Sequence, residues 1–362
     1  MKKAFKQVGS RIVKCKNPTE IMEIPTKRKL TEIDANVFMG NKILERISIP
    51  GNIRILNVSA FEGCKKLKTV SFAPAAMVIL KSNVFKKCKH LSAVENMNVI
   101  ISMDKQAFKD CAELEEVEIN PYLIEFGKGC FEGCKKISHV TLPLLHTVVP
   151  ERAFYDCEHL MAVNMGPAVE VVDKKAFFGC TALTDIEFSN TLDNISKSAF
   201  ESCYSLERVV IEKGIKKISS DAFKECRSLS VVKCGALAEN VKQKSVICAN
   251  AFAGCYELRT LELSGNRWKI SASAFKDCHL SPESRLVVVV DTEEVAKNIE
   301  RQLSSLMKKD LLRVVVAGMD LNEEPKVITN ADNANDDANS TNDHPDEIDS
   351  SDEIAVSDDT NK

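Results

Sequence analysis

Hydrophobic residues recur along this chain in one fixed order. In Lys175–Phe188, KAFFGCTALTDIEF, a Phe (Phe177) is followed at steps of three by Cys180, Leu183 and Ile186. The same Phe position is filled by Phe38, Phe61, Phe85, Phe108, Phe131, Phe154, Phe177, Phe200, Phe223, Phe252 and Phe275. Eight of the ten intervals are 23 residues, one is 24 and one is 29. Three after each Phe from Phe61 onward stands a Cys; from Phe38 to Phe252, six after stands Leu or Ile and nine after stands Val, Ile or Leu. At the Cys position only the first copy departs, with Asn41.

Each copy predicts two extended segments and a turn. The alternation Leu183-Thr184-Asp185-Ile186-Glu187-Phe188 reads as a half-buried strand. A second short segment, such as Ile215 to Ile218 or Leu192 to Ile195, precedes the next Phe, and the Ala-Phe-x-x-Cys stretch between reads as a tight helical turn with Phe and Cys inward. A unit of 23 residues is too short to bury a core of its own. Neighbouring copies must cover it, so the pattern predicts a solenoid of stacked coils.

Both ends of such a stack need caps. After the repeats, Arg285–Val290 reads as a strand, and Asp291 as a helix N-cap with Glu294 completing a capping box. The helix that follows puts Val295, Ile299, Leu303, Leu306 and Met307 on one face, and Leu311–Gly318 reads as a closing strand. Six extra residues between Cys234 and Phe252 are expected in a surface loop. Beyond Leu321 the chain is poor in apolar residues and rich in Asn, Asp and Ser, a composition that predicts disorder.

Charge sharpens this division. The whole chain carries −3, but residues 320–362 hold fourteen acids and two lysines, which leaves the remainder near +9. The start of the chain has no apolar leader, because Gln7, Ser10, Arg11 and Lys14 interrupt it, and no run is long enough to span a membrane. The expected location is therefore cytoplasmic, with the cell surface by a non-classical route as the alternative, and no membrane insertion.

The candidate chemistry is thin. Ten of the fourteen cysteines form one column, one per coil. Each would have two equivalent neighbours and nothing to select a pairing, so buried reduced thiols are expected. No C-x-x-C pair is present, and Cys130 before Cys134 fills the small-residue place ahead of Phe131, which argues against zinc. His90 and His159 each lie two after a column Cys, but on the outward side of the turn. There is no P-loop and no G-x-G-x-x-G motif. The chain is expected to be no enzyme and to need no cofactor.

The outward residues beside the inward Val or Ile form the candidate surface. Glu95, Glu116, Glu118, His139, Thr141, Asn164, Asp185, Glu187 and Arg208 line its centre. Glu116 with Glu118, and Asp185 with Glu187, are predicted on strands with each pair on one solvated face. Without aromatic platforms and with acids at its centre, the face is unsuited to nucleic acid. It suits a protein or peptide partner of basic character; the oligomeric state is left open.

The pattern L-x-x-V-x-I … A-F-x-x-C resembles the BspA-like family of leucine-rich repeats over roughly residues 30–280, and Ile12–Phe38 resembles that family's N-terminal segment. The resemblance implies a right-handed coil used to bind proteins, in a family with many surface proteins and adhesins. The expected fold class is α/β leaning to β: a leucine-rich-repeat solenoid of about eleven 23-residue coils, with parallel strands, short helical turns and a small strand–helix–strand cap. The expected organisation is an N-terminal cap segment (1–29), repeats (30–280), a C-terminal cap (281–319) and an acidic tail (320–362). The expected function is a protein-interaction module, with a surface adhesin or a structural repeat protein as alternatives.

Overall fold

A computed structural model of the chain describes residues 4–27, 29–74, 76–238, 242–265 and 267–318, with backbone only at Asp185. The predicted tail lies outside the described residues.

The inward columns stack as their spacing demands. The rings from Phe38 to Phe275 form one continuous pile, with centroids 4.7–5.9 Å apart and planes within 21° of parallel. Every ring from Phe61 to Phe252 is fully buried. The Leu column and most of the Val and Ile column bury beside them, so the core is a rod running the length of the coils.

The cysteines do more than fill space. All fourteen are free thiols. Each column thiol, from Cys64 to Cys278, donates to the carbonyl of the Phe one coil earlier, at 3.1–3.3 Å. That carbonyl also accepts the amide of its own coil's Cys, as Phe61 O does from Cys64 N at 3.2 Å. The S–H thus supplies a second donor to a buried acceptor while presenting a small apolar body. Asn41, in the first coil, has no earlier column Phe beneath it. Its Oδ1 instead accepts from Ile43 N and Leu44 N at 2.8 and 2.9 Å, closing the turn from within.

The turns depend on a feature that periodicity did not reveal. The residue two after each column Phe is left-handed in all eleven coils, from Gly40 (φ 69°) to Asp277 (φ 58°), and is Gly in five of them. The residue two before Phe is left-handed from Asn36 to Asn250. Two such residues reverse the chain within a few positions. The amide of the Phe between them is then free to bond the next coil, as Phe131 N does to Ala153 O at 2.9 Å.

The strands fall on two faces. The principal face carries Ile21–Glu23, Arg46–Ile49, Thr69–Phe72 and Ala93–Glu95 as one parallel sheet, then His139–Thr141, Ala162–Asn164 and Asp185–Glu187 as a second. Arg208–Ile211, Val231–Cys234, Thr260–Leu263, Leu286–Val290 and Leu312–Val316 form the third. The second face begins with the antiparallel hairpin Phe5–Val8/Arg11–Cys15 and runs through short parallel strands to Glu125–Phe126. It resumes at Val148–Val149 and ends at Trp268–Ile270. The stack has about 13 turns rather than eleven, because Arg11–Glu23 and the C-terminal strands continue the coil beyond the recognisable repeats.

The C-terminal cap forms with one change. The strands Leu286–Val290 and Leu312–Val316 flank the helix Glu293–Gln302, and Val295, Ile299 and Leu303 bury beneath it. The N-cap is Thr292, whose Oγ1 accepts from Val295 N at 3.4 Å. Asp291 is turned aside to accept from Gly265 N at 2.6 Å, so the expected capping box does not form. Gln302 covers the last strand of the second face, accepting from Ile270 N at 2.7 Å and donating to Trp268 O at 2.9 Å. A sheet edge that would otherwise be open is closed by one side chain.

One buried charge joins three coils on the turn side. Glu132 is 8% exposed and bonds Lys109 Nζ at 2.9 Å and the Arg152 guanidinium, which also lies 3.8 Å over the Tyr155 ring. Burial works to raise the Glu132 carboxyl, but the bonds from Arg152 and Lys109 outweigh it and hold it below the usual glutamate value.

Phe154→Ala is expected to lower stability by about 3–5 kcal/mol in chemical denaturation, because the cavity cannot collapse between two fixed rings. Burial raises the column thiols from Cys88 onward, that of Cys278 to about 11. In the native protein a thiolate-directed reagent at mildly alkaline pH should therefore spare the column and reach the half-buried Cys15 and Cys248 first, as peptide mapping would read. Because the folded Glu132 pKa lies below its unfolded value of about 4.3, its contribution is present above that pH and lost as pH falls through the folded value. Glu132→Gln should therefore flatten the acid limb of the stability–pH curve below about pH 4.3.

Candidate interaction surface

The principal face is built by alternation, with an inward residue between two outward neighbours. His139 and Thr141 flank buried Val140, and Ala162 and Asn164 flank buried Val163. Parallel pairing without a register shift sets His139 beside Ala162 and then Asp185, and Thr141 beside Asn164 and then Glu187. These outward columns therefore stand at the strand spacing of about 4.8 Å. His139, Thr141, Asn164 and Glu187 are exposed, and His139 Nδ1 lies 3.0 Å from Ser138 Oγ.

The other predicted residues do not join that sheet. Glu95 ends the first sheet, where its carboxylate accepts from Ser71 Oγ at 2.6 Å. Arg208 opens the third sheet and is exposed. Glu116 and Glu118 are exposed but stand on no strand, contrary to the alternation around Val117. A strand there would place Glu118 in the same outward column as Glu95, one strand spacing away, and like charges directly opposite weaken a ladder. Glu118 is instead reached by Asn98 Nδ2 at 3.1 Å. The nine residues are thus divided among three sheets and one irregular segment, and only the middle sheet brings several of them into one paired array.

Charge on the rim differs from charge at the centre. Successive coils are linked at the rim by Lys68–Glu45 (2.9 Å), Lys136–Glu115 (3.1 Å) and Lys135–Glu158 (2.5 Å), and on the third sheet by Lys233–Glu262 (3.9 Å). The Lys68 hydrogen bond is the main reason that the Glu45 carboxyl is held below its usual value. No ion pair engages Glu95, Glu116, Glu118 or Glu187 among the described residues. The centre of the face is therefore acidic and uncompensated.

Several aromatic residues outside the core lie on the turn edge. Tyr155 stacks on Phe178 at 4.7 Å, and Arg227 lies 4.5 Å over Tyr204. Tyr256 stacks on His279 at 4.2 Å. Sequence spacing had these residues within reach, since Tyr204, Arg227, Tyr256 and His279 each follow a column Cys. The strand-based reading passed over them because it followed only the outward columns beside Val and Ile.

Solved structures share the architecture. A leucine-rich repeat protein of Bacteroides ovatus aligns over 85% of both chains at 19% identity, with a TM-score of 0.60. A leucine-rich cell surface protein of Faecalibacterium prausnitzii aligns over 85% of this chain and 90% of its own at 20% identity, with a TM-score of 0.46. The pneumococcal vaccine antigen PcpA aligns over 83% of this chain and 80% of its own at 14% identity, with a TM-score of 0.43. No curated protein sequence matches the chain. Residues 31–161 and 147–281 match the model of the BspA type leucine-rich repeat region, and the chain accordingly belongs to the BspA-type leucine-rich repeat family.

Proposed function

We propose that this protein is a non-enzymatic interaction module that takes a basic protein or peptide on its principal face. Leucine-rich repeats generally serve as interaction scaffolds. The observation that carries the reading is the middle sheet, where unshifted pairing holds the Thr141, Asn164 and Glu187 column at fixed spacing. On its N-terminal side the exposed acids continue at Glu118, Glu116 and Glu95, none of them in an ion pair among the described residues. A partner that places Lys or Arg along this row gains several charge-assisted contacts at once, and the rigid backbone behind them lowers the ordering cost. Electrostatic steering by such a row raises the association rate and makes it salt-sensitive.

The quadruple substitution of Glu116, Glu118, Asp185 and Glu187 by Lys is expected to abolish partner capture by the immobilised chain, with its melting curve little changed. Undiminished capture by the substituted chain overturns the strand-face reading.

A further inference from the structure

Among the described residues the second face has one interruption, and a proline stands at it. In neighbouring coils the residue after each short strand donates its amide to the strand before it. Gly127 N bonds Met103 O at 2.8 Å, Asp173 N bonds Val149 O at 3.0 Å and Ser196 N bonds Val172 O at 2.9 Å. The equivalent donor to Phe126 O would come from position 150, which is Pro150 and has no N–H. Glu125–Phe126 and Val148–Val149 therefore end two separate sheets. His146 bridges the gap with its side chain: Nε2–H donates to Leu123 O at 2.9 Å, and the ring stands edge-on to Phe126 with centroids 6.0 Å apart.

A shallow groove of about 430 Å³ opens between the two unpaired segments, lined by Tyr122, Ile124, Leu145 and Val148 with His146 and Thr147. Its walls are apolar and open to solvent: Tyr122 is 69% exposed, Ile124 72% and Leu145 71%. Five of the thirteen large exposed hydrophobic residues among those described cluster here, counting Leu144. Concentrated apolar exposure of this kind marks an interaction site.

We propose that this groove docks an extended segment of a partner protein whose apolar side chains are flanked by Lys or Arg. The rim selects that chemistry. Glu125 is exposed beside Ile124, and Glu170 is exposed on the far side, where its amide bonds Thr147 O at 2.7 Å. The nearby Lys128 is already engaged by Glu151 at 3.3 Å. A second copy of this chain related by a two-fold axis would bring the same acids against each other. An anionic bilayer is repelled by the same rim. The groove lies on the second strand face and shares no lining residue with the strand surface proposed above.

Random peptides displayed on phage and panned on the full chain, with an Ile124→Asp/Leu145→Asp chain as counter-target, should enrich sequences with paired apolar residues bracketed by Lys or Arg. An enriched peptide followed by fluorescence anisotropy should bind at least about tenfold more weakly to that double variant. It should bind about fivefold more weakly to Glu125→Lys/Glu170→Lys, with both variants keeping the parent melting temperature. No enrichment, enrichment of peptides without basic residues, or equal binding to either variant overturns the proposal. It is also overturned by a dimer that Ile124→Asp/Leu145→Asp dissolves in sedimentation velocity, and by binding to phosphatidylserine vesicles that the same variant loses. None of these results bears on the four residues of the strand-face test.

Discussion

Each ring of the Phe column lies against the ring one coil before and the ring one coil after, and its carbonyl receives an amide from its own coil and a thiol from the next. That contact between coils is what every other part of the molecule rests on. A single coil offers half a hydrophobic site and a carbonyl with one donor. Burial of the ring and satisfaction of the carbonyl are both completed by a neighbour, so the repeats are stable only as a stack. The same need explains the ends. Asn41 supplies internal acceptors where no earlier thiol contact exists, and Gln302 closes the last strand of the second face. The thiols have their work in the core, where each closes a carbonyl of the coil before it.

Because the turn side holds the coils together, the strand faces are free to be irregular. Where the principal face lacks a strand at Glu116–Glu118 and the second face breaks before Pro150, the turn ladder continues. Gly129 N bonds Glu151 O at 2.9 Å and Gly133 N bonds Tyr155 O at 2.7 Å. Glu132 ties Lys109 and Arg152 across the same coils. The two candidate surfaces draw on this tolerance. One is an acidic row on paired strands, and the other is an apolar groove where pairing fails. Both ask for a basic partner, but the first contacts it through charge and the second through buried apolar side chains with charge at the rim.

The repeat, the inward Phe, Cys, Leu and Val positions, and the outward columns were legible from spacing alone. They depend only on how residues alternate within one coil, and eleven copies average away local exceptions. The left-handed turn positions left a weaker trace, Gly in five coils and mixed polar residues in the rest, because several residue types tolerate that conformation at modest cost. The cap helix was visible in its apolar stripe, but its N-cap was misplaced by one residue, since Asp291 is drawn away by an amide 26 positions earlier in the chain.

What the sequence by itself determined is therefore the unit and its inside: a coil that must stack, with these side chains facing in. What only the tertiary structure decided is which outward residues become neighbours. Glu116 and Glu118 looked like strand residues, yet the folded chain leaves both off any strand and sets Asn98 against Glu118. Pro150 looked like an ordinary turn residue until its missing amide fell opposite the Phe126 carbonyl. Contacts within a coil are set by local spacing, whereas contacts between coils depend on register and on backbone donors about 23 residues apart, and those meet only once the chain has folded.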